Sequence, residues 1–227
     1  MQDERQITLR KADTMADIEL RAYVFMDSLQ PQLTSQIGST ARGFLPIVGD
    51  ASLFVEIAPG IAINSLLDVA LKATNVRPAE QVVERAFGTM EIHSEDKGQV
   101  MLGGEAILRT LNLRETDRLK PRIVSAQVLR NITDYQTQII NRTAKSGTMI
   151  LPGQSLFILE VHPAAYSVYA ANEAEKAAGI TLIDVRAFGA FGRLYLCGSE
   201  REVDYGSQAA TKSLELLEGR ANTPGKG

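Results

Sequence analysis

Hydrophobic and polar residues alternate over residues 53–58, where the sequence reads LFVEIA before a Pro-Gly pair at 59–60. Alternation with a period of two is typical of a β-strand, and a Pro-Gly pair commonly ends one. Over residues 61–74 the apolar positions, among them Leu66 and Ala70, recur instead at helical spacing. The pattern therefore predicts a strand that is followed directly by a helix.

Similar patterns recur along the rest of the chain. Alternating runs at 88–93 and 192–198 indicate strands, helical spacing indicates helices at 99–111 and 202–217, and a strand followed by a helix is indicated at 18–36 and at 123–142. Strands and helices in this order within about a hundred residues favour layers of helix on sheet. We predict an α/β fold, more closely an α+β sandwich, built from small antiparallel-rich sheets with helices.

An internal repeat explains why each pattern occurs twice. Residues 53–76 align without a gap to residues 157–180, 104 positions later, with five identical residues among the twenty-four. The same offset pairs Leu20 with Val124 upstream. The sequence therefore predicts two duplicated domains of similar fold.

A second stretch of the repeat has a different offset. The letters RAFG occur at 85–88 and again at 186–189, an offset of 101, which suggests three additional residues in the first copy. The charged connector RETDRLKP at 114–121 is typical of a surface linker. The predicted organisation is a flexible tail at 1–17, a first domain at 18–116, a linker at 117–122, a second domain at 123–219 and a tail at 220–227.

The composition is that of an ordinary globular protein. Hydrophobic residues make up 44% and charged residues 22%, and 24 basic against 27 acidic residues give a net charge of −3. This hydrophobic fraction excludes a disordered chain. No long block of like charge is present, so we predict no nucleic-acid partner.

The single cysteine, Cys197, excludes an internal disulfide and a zinc ribbon, and it fits a reducing cytosol. No uncharged stretch reaches the roughly 20 apolar residues of a membrane span. The amino-terminal segment at 1–17 has mixed charges and no apolar core, unlike a secretion signal. We therefore predict a cytoplasmic protein without a membrane partner.

Candidate catalytic residues are sparse. His93 and His162 lie in different copies of the repeat without a second histidine at metal-ligand spacing, and Cys197 lies in an alternating strand. The glycines at 189–192 and 103–105 match neither a dinucleotide fingerprint nor a phosphate-binding loop. We predict no enzyme activity, no catalytic or metal site and no cofactor.

The run at 155–217 resembles the core of a bacterial microcompartment (BMC) shell domain, with its strand, Ala-rich helix, loop and closing strand and helix. The first copy has the same likeness. Because each copy begins with an extra strand and helix, the chain resembles the circularly permuted, tandem-domain members that form trimers. Four segments are most similar to the carboxysomal type whose trimers stack face to face: LRAYVFMDSLQPQL at 20–33, ASLFVEIAPGIAIN at 51–64, QVVERAFG at 81–88 and AANEAEKAAG at 170–179.

This resemblance implies a structural role in a microcompartment shell. Three chains of two domains would give the hexagonal outline that single-domain shell proteins make from six copies. A homotrimer, its face-to-face dimer, contacts with other shell proteins and passage of small metabolites through a gated central pore are the implied assembly and partners. The two halves differ in sequence, so the positions around the pore would alternate.

The resemblance also assigns a gate. In tandem members a Glu-Arg pair before Ala-Phe-Gly opens or closes the pore, and Glu84 and Arg85 match it. In the second copy only Arg186 is retained, after Asp184 and Val185, so the gating role is carried to the first copy alone. A plain exposed ion pair, worth about 0–1 kcal/mol, is the alternative.

Two glycines and two phenylalanines accompany this pair. Gly88 and Gly189 suit a place where backbones crowd near a symmetry axis, or a simple turn or bulge. Phe87 and Phe188 are pore rims or core anchors, and the core is favoured because aromatic residues at strand starts are more often buried.

Lys72 and Lys176 resemble the family's edge lysines, which contact the neighbouring tile in flat sheets. A lysine at a helix C-terminus also complements the helix dipole by about 0.3–1 kcal/mol. Both roles can hold together.

A rival interpretation from composition and periodicity is a trimeric small-molecule sensor or carrier with its ligand at subunit clefts. An enzyme with clefts between subunits would additionally require a cluster of groups with shifted pKa values, which the sequence does not locate. Assembly separates the first two hypotheses, because a shell protein forms arrays and stacked trimers whereas a sensor stays a discrete oligomer.

Overall fold

A computed structural model describes residues 18–144 and 147–223, so the predicted tail at 1–17 lies outside the described residues. The first domain contains β1 (Glu19–Met26), α1 (Pro31–Thr40), β2 (Ala51–Ala58), α2 (Ile63–Ala73), β3 (Arg77–Glu84), β4 (Phe87–Ser94) and α3 (Lys97–Leu111). The second contains β5 (Arg122–Leu129), α4 (Asp134–Thr143), β6 (Ser155–His162), α5 (Tyr166–Ala177), β7 (Thr181–Arg186), β8 (Gly192–Gly198) and α6 (Glu200–Leu216).

Each domain has one four-stranded antiparallel sheet. The strand order is β1-β2-β4-β3 in the first domain and β5-β6-β8-β7 in the second, so the topology is repeated. The predicted α/β fold with two duplicated domains is confirmed.

Both faces of each sheet are covered by helices. In the first domain, Val55 and Ile57 of β2 belong to the cluster packed against α2 and α3, whereas Phe54 belongs to the cluster that contains Leu33 and Ile37 of α1. Consequently β2 is buried on both faces. The two alternating sets of β2 side chains therefore face two different hydrophobic cores, and neither set faces solvent.

Side-chain caps fix two helix starts that periodicity alone leaves imprecise. The Asp96 carboxylate accepts a hydrogen bond from the Gly98 amide at the start of α3. At the start of α6, the Ser199 hydroxyl and the Glu202 carboxylate form a reciprocal capping box. Hydrogen bonds from Ser199 lower the pKa of Glu202.

The strand register corrects the offset of 101 that the RAFG letters suggested. Ile57 of β2 pairs with Gly88, and its counterpart in β6 pairs with Gly192, so the offset of 104 persists through these strands. RAFG at 186–189 is therefore not the structural counterpart of RAFG at 85–88, and the first copy carries no additional residues there. In the first domain β3 continues to Glu84 and turns over two residues, whereas β7 ends earlier and a longer loop precedes β8.

The upstream pairing was wrong by one residue. Leu20 faces Ile57, and Ile123 faces the counterpart of Ile57, Val161, so Leu20 corresponds to Ile123 and not to Val124. Since side chains alternate along a strand, a slip of one residue exchanges the two faces. Val124 is accordingly exposed whereas Leu20 is buried.

The segment after α6 is held at its start, which corrects the predicted tail at 220–227 for Arg220 and Asn222. The Arg220 amide donates to the Arg118 carbonyl at 2.7 Å and its own carbonyl accepts from the Lys120 amide at 2.9 Å, so this segment pairs in parallel with the linker. Residues 224–227 lie outside the described residues.

Among the described residues, no helix is both long enough and apolar enough to cross a bilayer.

Candidate functional site

The predicted gate lies in the two-residue turn between β3 and β4. Glu84 pairs with Phe87 across this turn, and Glu84 and Arg85 are both exposed. Arg85 has a φ of 54°, in the left-handed region that residues other than glycine rarely adopt. Neither side chain takes part in an ion pair within the described part of the chain. The arrangement leaves both side chains free to reorient.

The equivalent turn of the second domain lies between β7 and β8. Gly189 follows Arg85 by 104 positions and also has a positive φ, 96°, so Gly189 is the counterpart of Arg85. Arg186 instead ends β7 and donates from Nε to Asp184 at 2.9 Å. Arg186 therefore lies in a strand and not in the turn. At the turn position of Arg85, the second domain has Gly189.

The two turns meet within one chain. A Cβ on Gly189 would lie 3.2 Å from Oε1 of Glu84, tighter than most real Cβ contacts. Gly189 therefore leaves room for the Glu84 carboxylate. The structure thus brings Gly189 close to Glu84, although the two lie over a hundred residues apart in the sequence.

Gly88 is required by a close approach within its own domain. A Cβ on Gly88 would overlap the Gly60 carbonyl oxygen, and a Cβ on Gly192 would overlap the Ala164 carbonyl oxygen in the same way. The glycine equivalent to Gly88 is accordingly Gly192. The sequence signal was present but overlooked, because AFG at 86–88 recurs at 190–192 with the offset of 104.

Both predicted phenylalanines are half-buried. The Arg21 guanidinium stacks 3.7 Å above the centroid of the Phe87 ring. Phe188 lines a small cavity together with Leu33 and Glu80, at the contact of the two domains. Phe191, which the sequence analysis missed, is the positional counterpart of Phe87, and its ring meets that of His162 edge-on at 5.9 Å.

A buried ion pair supports the first turn from beneath. Arg21 of β1 donates from Nε to Oε1 of Glu56 at 2.8 Å, and Oε2 of Glu56 accepts the Ala165 amide of the second domain at 2.9 Å. Glu56 is fully buried. Desolvation raises the pKa of Glu56 although the hydrogen bond from Arg21 opposes the shift.

A second set of hydrogen bonds joins α1 to α5 across the same junction. The Glu175 carboxylate accepts the Gln32 amide at 2.8 Å and the Leu33 amide at 3.0 Å, so a residue of the second domain caps a helix of the first. Asn172 accepts the Gln30 amide at 3.0 Å. The Gln32 side chain also accepts the Leu182 amide at 2.8 Å, at the start of β7. These contacts fix the relative position of the domains.

The two predicted edge lysines have different surroundings. Lys72 is exposed, and among the described residues its ion-pair partner is Asp68, four residues earlier, at 2.6 Å. Lys176 is half-buried at the domain junction, 3.0 Å from Glu173 and 3.3 Å from Asp27 of the first domain. Burial disfavours the charged ammonium and by itself would lower the pKa of Lys176. The hydrogen bonds and charges of Glu173 and Asp27 outweigh burial, so the pKa of Lys176 is raised. Lys176 is thus an internal contact of the chain.

The remaining candidate groups have structural partners. His93 lies buried beside Glu91, with Nδ1 3.0 Å from the carboxylate. Burial raises the pKa of Cys197 to about 11, which keeps the thiol protonated and unreactive at neutral pH. Among residues 18–144 and 147–223, no group of three or more histidine, cysteine or acidic residues could hold a metal ion.

Comparison with known proteins gives three kinds of match. Residues 20–117 match the family described as the CsoS1D N-terminal domain. The carboxysome shell protein CcmP of Synechococcus elongatus is 54% identical over 203 residues, covering 89% of this chain and 95% of that protein. The carboxysome shell protein CsoS1D of Hydrogenovibrio crunogenus is 50% identical over 200 residues, covering 88% and 98%.

Two solved structures share 40% sequence identity with this chain. A fused permuted hexameric shell protein of the RMM microcompartment superposes with a TM-score of 0.85, covering 88% of this chain and all of that one. A double-ringed trimeric shell protein of the same microcompartment superposes with a TM-score of 0.87, covering 90% and 100%.

Proposed function

Because this chain belongs to the family of the carboxysome shell proteins CsoS1D and CcmP, we propose that three copies form a pseudohexameric tile with a central gated pore. The tile is a structural component of a microcompartment shell, where it contacts other shell proteins. Relatives at 50–54% identity are carboxysome proteins, which favours a carboxysome shell. Those relatives are named as shell proteins, not as enzymes, sensors or carriers, so no carrier function is proposed.

The domain junction within the chain supports the trimer. In that junction α5 of the second domain contacts α1 of the first. The same contact made between chains would place α2 of one chain against α4 of the next, since these helices are the repeat counterparts of α5 and α1. A head-to-tail contact of this kind closes into a ring. Two domains per chain and six positions per ring require three chains.

The exposed side chains of α2 and α4 carry this proposal. Leu71, the counterpart of Glu175, is 40% exposed, and Ile61, just before α2, is 70% exposed. On α4, Tyr135 and Ile139 are 83% and 66% exposed. Large apolar side chains grouped on a surface mark interaction sites. A contact between copies would bury these apolar side chains. At the corresponding positions of the junction within the chain, the contact is made by hydrogen bonds.

Sedimentation of the full chain tests the assembly. We expect the mass of three chains, or of six if two rings stack, at micromolar concentration. Negative-stain images should show a hexagonal outline of threefold symmetry. A monomer in dilute buffer would contradict the proposal.

The gate proposal is supported by the exposure of Glu84 and Arg85, which form no ion pair with the residues that the structure describes, and by the contact of Glu84 with Gly189 of the second turn. Around a threefold axis, Glu84 and Arg85 of neighbouring chains would pair with each other or turn away, and two such arrangements make a gate for small metabolites.

Replacing Glu84 and Arg85 together by alanine is expected to leave the trimer intact and to widen the axial opening, because both side chains are exposed. Electron cryo-microscopy of the variant measures the opening. The control is the double alanine variant at Lys212 and Glu215, an exposed cation and an exposed anion of α6, which should leave the opening unchanged. Both turns lying far from the axis would refute the gate.

Face-to-face stacking is supported by the loops that follow α1 and α4. Phe44, Leu45 and Ile47 in the first loop and Met149 and Leu151 in the second are all more than half exposed. The two loops follow counterpart helices of the repeat, and stacking of two rings would cover their apolar side chains. The double-ringed trimeric shell protein of the RMM microcompartment shares 40% sequence identity with this chain.

The edge role remains a proposal for Lys72, whereas Lys176 is tied to Asp27 and Glu173 within the chain. Replacing Lys72 by glutamate is expected to spare the trimer and to weaken two-dimensional sheets in electron micrographs, because the exposed cation is replaced by an anion. The same change at Lys212, an exposed lysine of α6, is the control. Unchanged sheets in both variants would count against the edge role.

A further inference from the structure

A continuous chain of hydrogen bonds crosses the domain junction beside the first turn. Arg21 is its centre, because Nε donates to Glu56 at 2.8 Å while Nη2 lies 2.8 Å from Nε2 of His162. On the other side of the ring, Nδ1 of His162 lies 3.0 Å from Oδ1 of Asn222. This hydrogen-bond chain therefore joins β1 and β2 to β6 and to the segment after α6.

The chemistry of the partners fixes the protonation of His162. A guanidinium can only donate, so Nε2 of His162 must accept from Arg21. The hydrogen therefore sits on Nδ1 and is donated to Asn222, and the imidazole is neutral. The amide nitrogen of Asn222 donates in turn to the carbonyl oxygens of Lys120 and His162, at 2.8 and 2.9 Å. Protonation of Nε2 would remove the atom that accepts the hydrogen bond from Arg21. It would also place an imidazolium cation next to the guanidinium cation.

Charged groups from several elements face the imidazole. The charges that act on it directly are Arg21 and Glu19 of β1 and Arg122 of β5. Glu56 of β2 and Arg220 are one contact further away, because Glu56 pairs with Arg21 and Arg220 pairs with Glu19. Burial is the main cause that lowers the pKa of His162, and the cations Arg21 and Arg122 lower it further against the opposing effects of Asn222 and Glu19.

We propose that His162 is a proton-sensitive latch between the two domains. Neutral His162 closes the latch by holding Arg21 and Asn222 together. Protonated His162 opens it, because the imidazolium is repelled by Arg21 and must move away from the guanidinium. The same movement draws Nδ1 away from Asn222, so the segment at 218–222 loses this side-chain contact with the second domain. The latch occurs only within each chain, since Ala58 stands at the position equivalent to His162 and Val124 at that of Arg21.

The sign of the pH dependence follows from the lowered pKa. Below pH 6.5, the ordinary value for histidine, the unfolded or opened chain binds a proton that the closed latch excludes. The stability of the closed latch is therefore complete above this pH and falls as the pH is lowered, by at most about tenfold in the equilibrium constant per pH unit for one proton.

Hydrogen exchange of the full assembled chain tests the latch. Two backbone hydrogen bonds between the linker and the last segment report its closure, one from the Lys120 amide to the Arg220 carbonyl and one from the Arg220 amide to the Arg118 carbonyl. After correction for intrinsic exchange rates, we expect protection of these amides to fall about threefold to tenfold between pH 7.5 and 5.5. Amides within α3 serve as the internal reference and should not change.

The matched variant is His162→Gln, whose side-chain oxygen can still accept from Arg21 but cannot be protonated. Protection in this variant should be the same at both pH values. Protonation of Glu56 would affect both proteins alike, so an equal loss in the variant and the wild type would overturn the proposal.

Imidazole NMR provides a second measurement on the wild type if the variant fails to fold. The chain has two histidines, so His93 is the only other signal to assign. We expect Nε2 of His162 to be unprotonated at pH 7.5, with a titration midpoint below 6.5. A midpoint at or above 6.5 would overturn the latch, whatever the outcome for the trimer.

Discussion

Replacing Arg21 by methionine is expected to lower the free energy of unfolding by about 3–5 kcal/mol, the usual cost of removing one partner of a buried ion pair. Glu56 would remain fully buried with only backbone amides of the second domain, at Ala164 and Ala165, as donors at the junction. The stacking of the guanidinium on Phe87 would also be lost. Urea denaturation at pH 7.5, followed by circular dichroism, measures the change.

Two further variants isolate the cause of this loss. Arg21→Met combined with Glu56→Gln should recover much of the stability, because no charge is then left buried. Arg130→Met removes an exposed arginine that pairs with Glu200 at 2.7 Å and Asp204 at 2.8 Å, and should cost at most about 1 kcal/mol. Equal denaturation midpoints for the Arg21 and Arg130 variants would show that the buried pair contributes little.

The pH dependence of the Arg21 variant provides an independent check. Burial raises the pKa of Glu56, and loss of the guanidinium would raise it further. As the pH falls, protonation of Glu56 removes the unpaired buried charge, so the deficit relative to the wild type should shrink. A deficit that grows on acidification would contradict this account.

Replacing Ile139 by aspartate is expected to separate the proposed trimer into folded monomers. A carboxylate would be buried without a partner at each of the three contacts, and an uncompensated buried charge costs about 3–5 kcal/mol. The fold itself should survive because Ile139 is 66% exposed in the single chain. Analytical ultracentrifugation gives the mass, and far-ultraviolet circular dichroism reports the fold.

Ile47→Asp is the matched control, since Ile47 is also 66% exposed but lies in the loop after α1. This variant should remain a trimer and lose only the stacking of two rings. If both variants kept the mass of the wild type, α4 would not form the contact between chains. If both became monomers, the two surfaces would not be distinct.

Local patterns predicted most elements of the fold. Period-two alternation located β2 and β8, and helical spacing located α2 and α6 to within two residues. These features depend on neighbours a few positions apart, which a sequence displays directly. The caps at Asp96 and Ser199, rather than periodicity, decided where α3 and α6 begin.

The gating role of the candidate site stays a prediction. The structure places Glu84 at the end of β3 and Arg85 in the following turn, both exposed. Gly189 was paired with Gly88 in the sequence, but it has a positive φ and its place in the repeat is that of Arg85. Arg186 was matched to Arg85 because of identical letters, whereas strand pairing makes Arg186 equivalent to Val82. Identical letters do not determine register; the hydrogen bonds between strands do.

The sequence by itself determined that the chain is a duplicated α/β protein of the microcompartment shell family, because duplication, periodicity and long ordered motifs are properties of the linear order of residues. The tertiary structure alone decided the junction between the copies. Arg21 and His162 are separated by 141 positions, and neither lies in a motif that indicates the other. Such partners meet only when both sheets are folded and packed, because their hydrogen bonds depend on distances in space that no local pattern encodes.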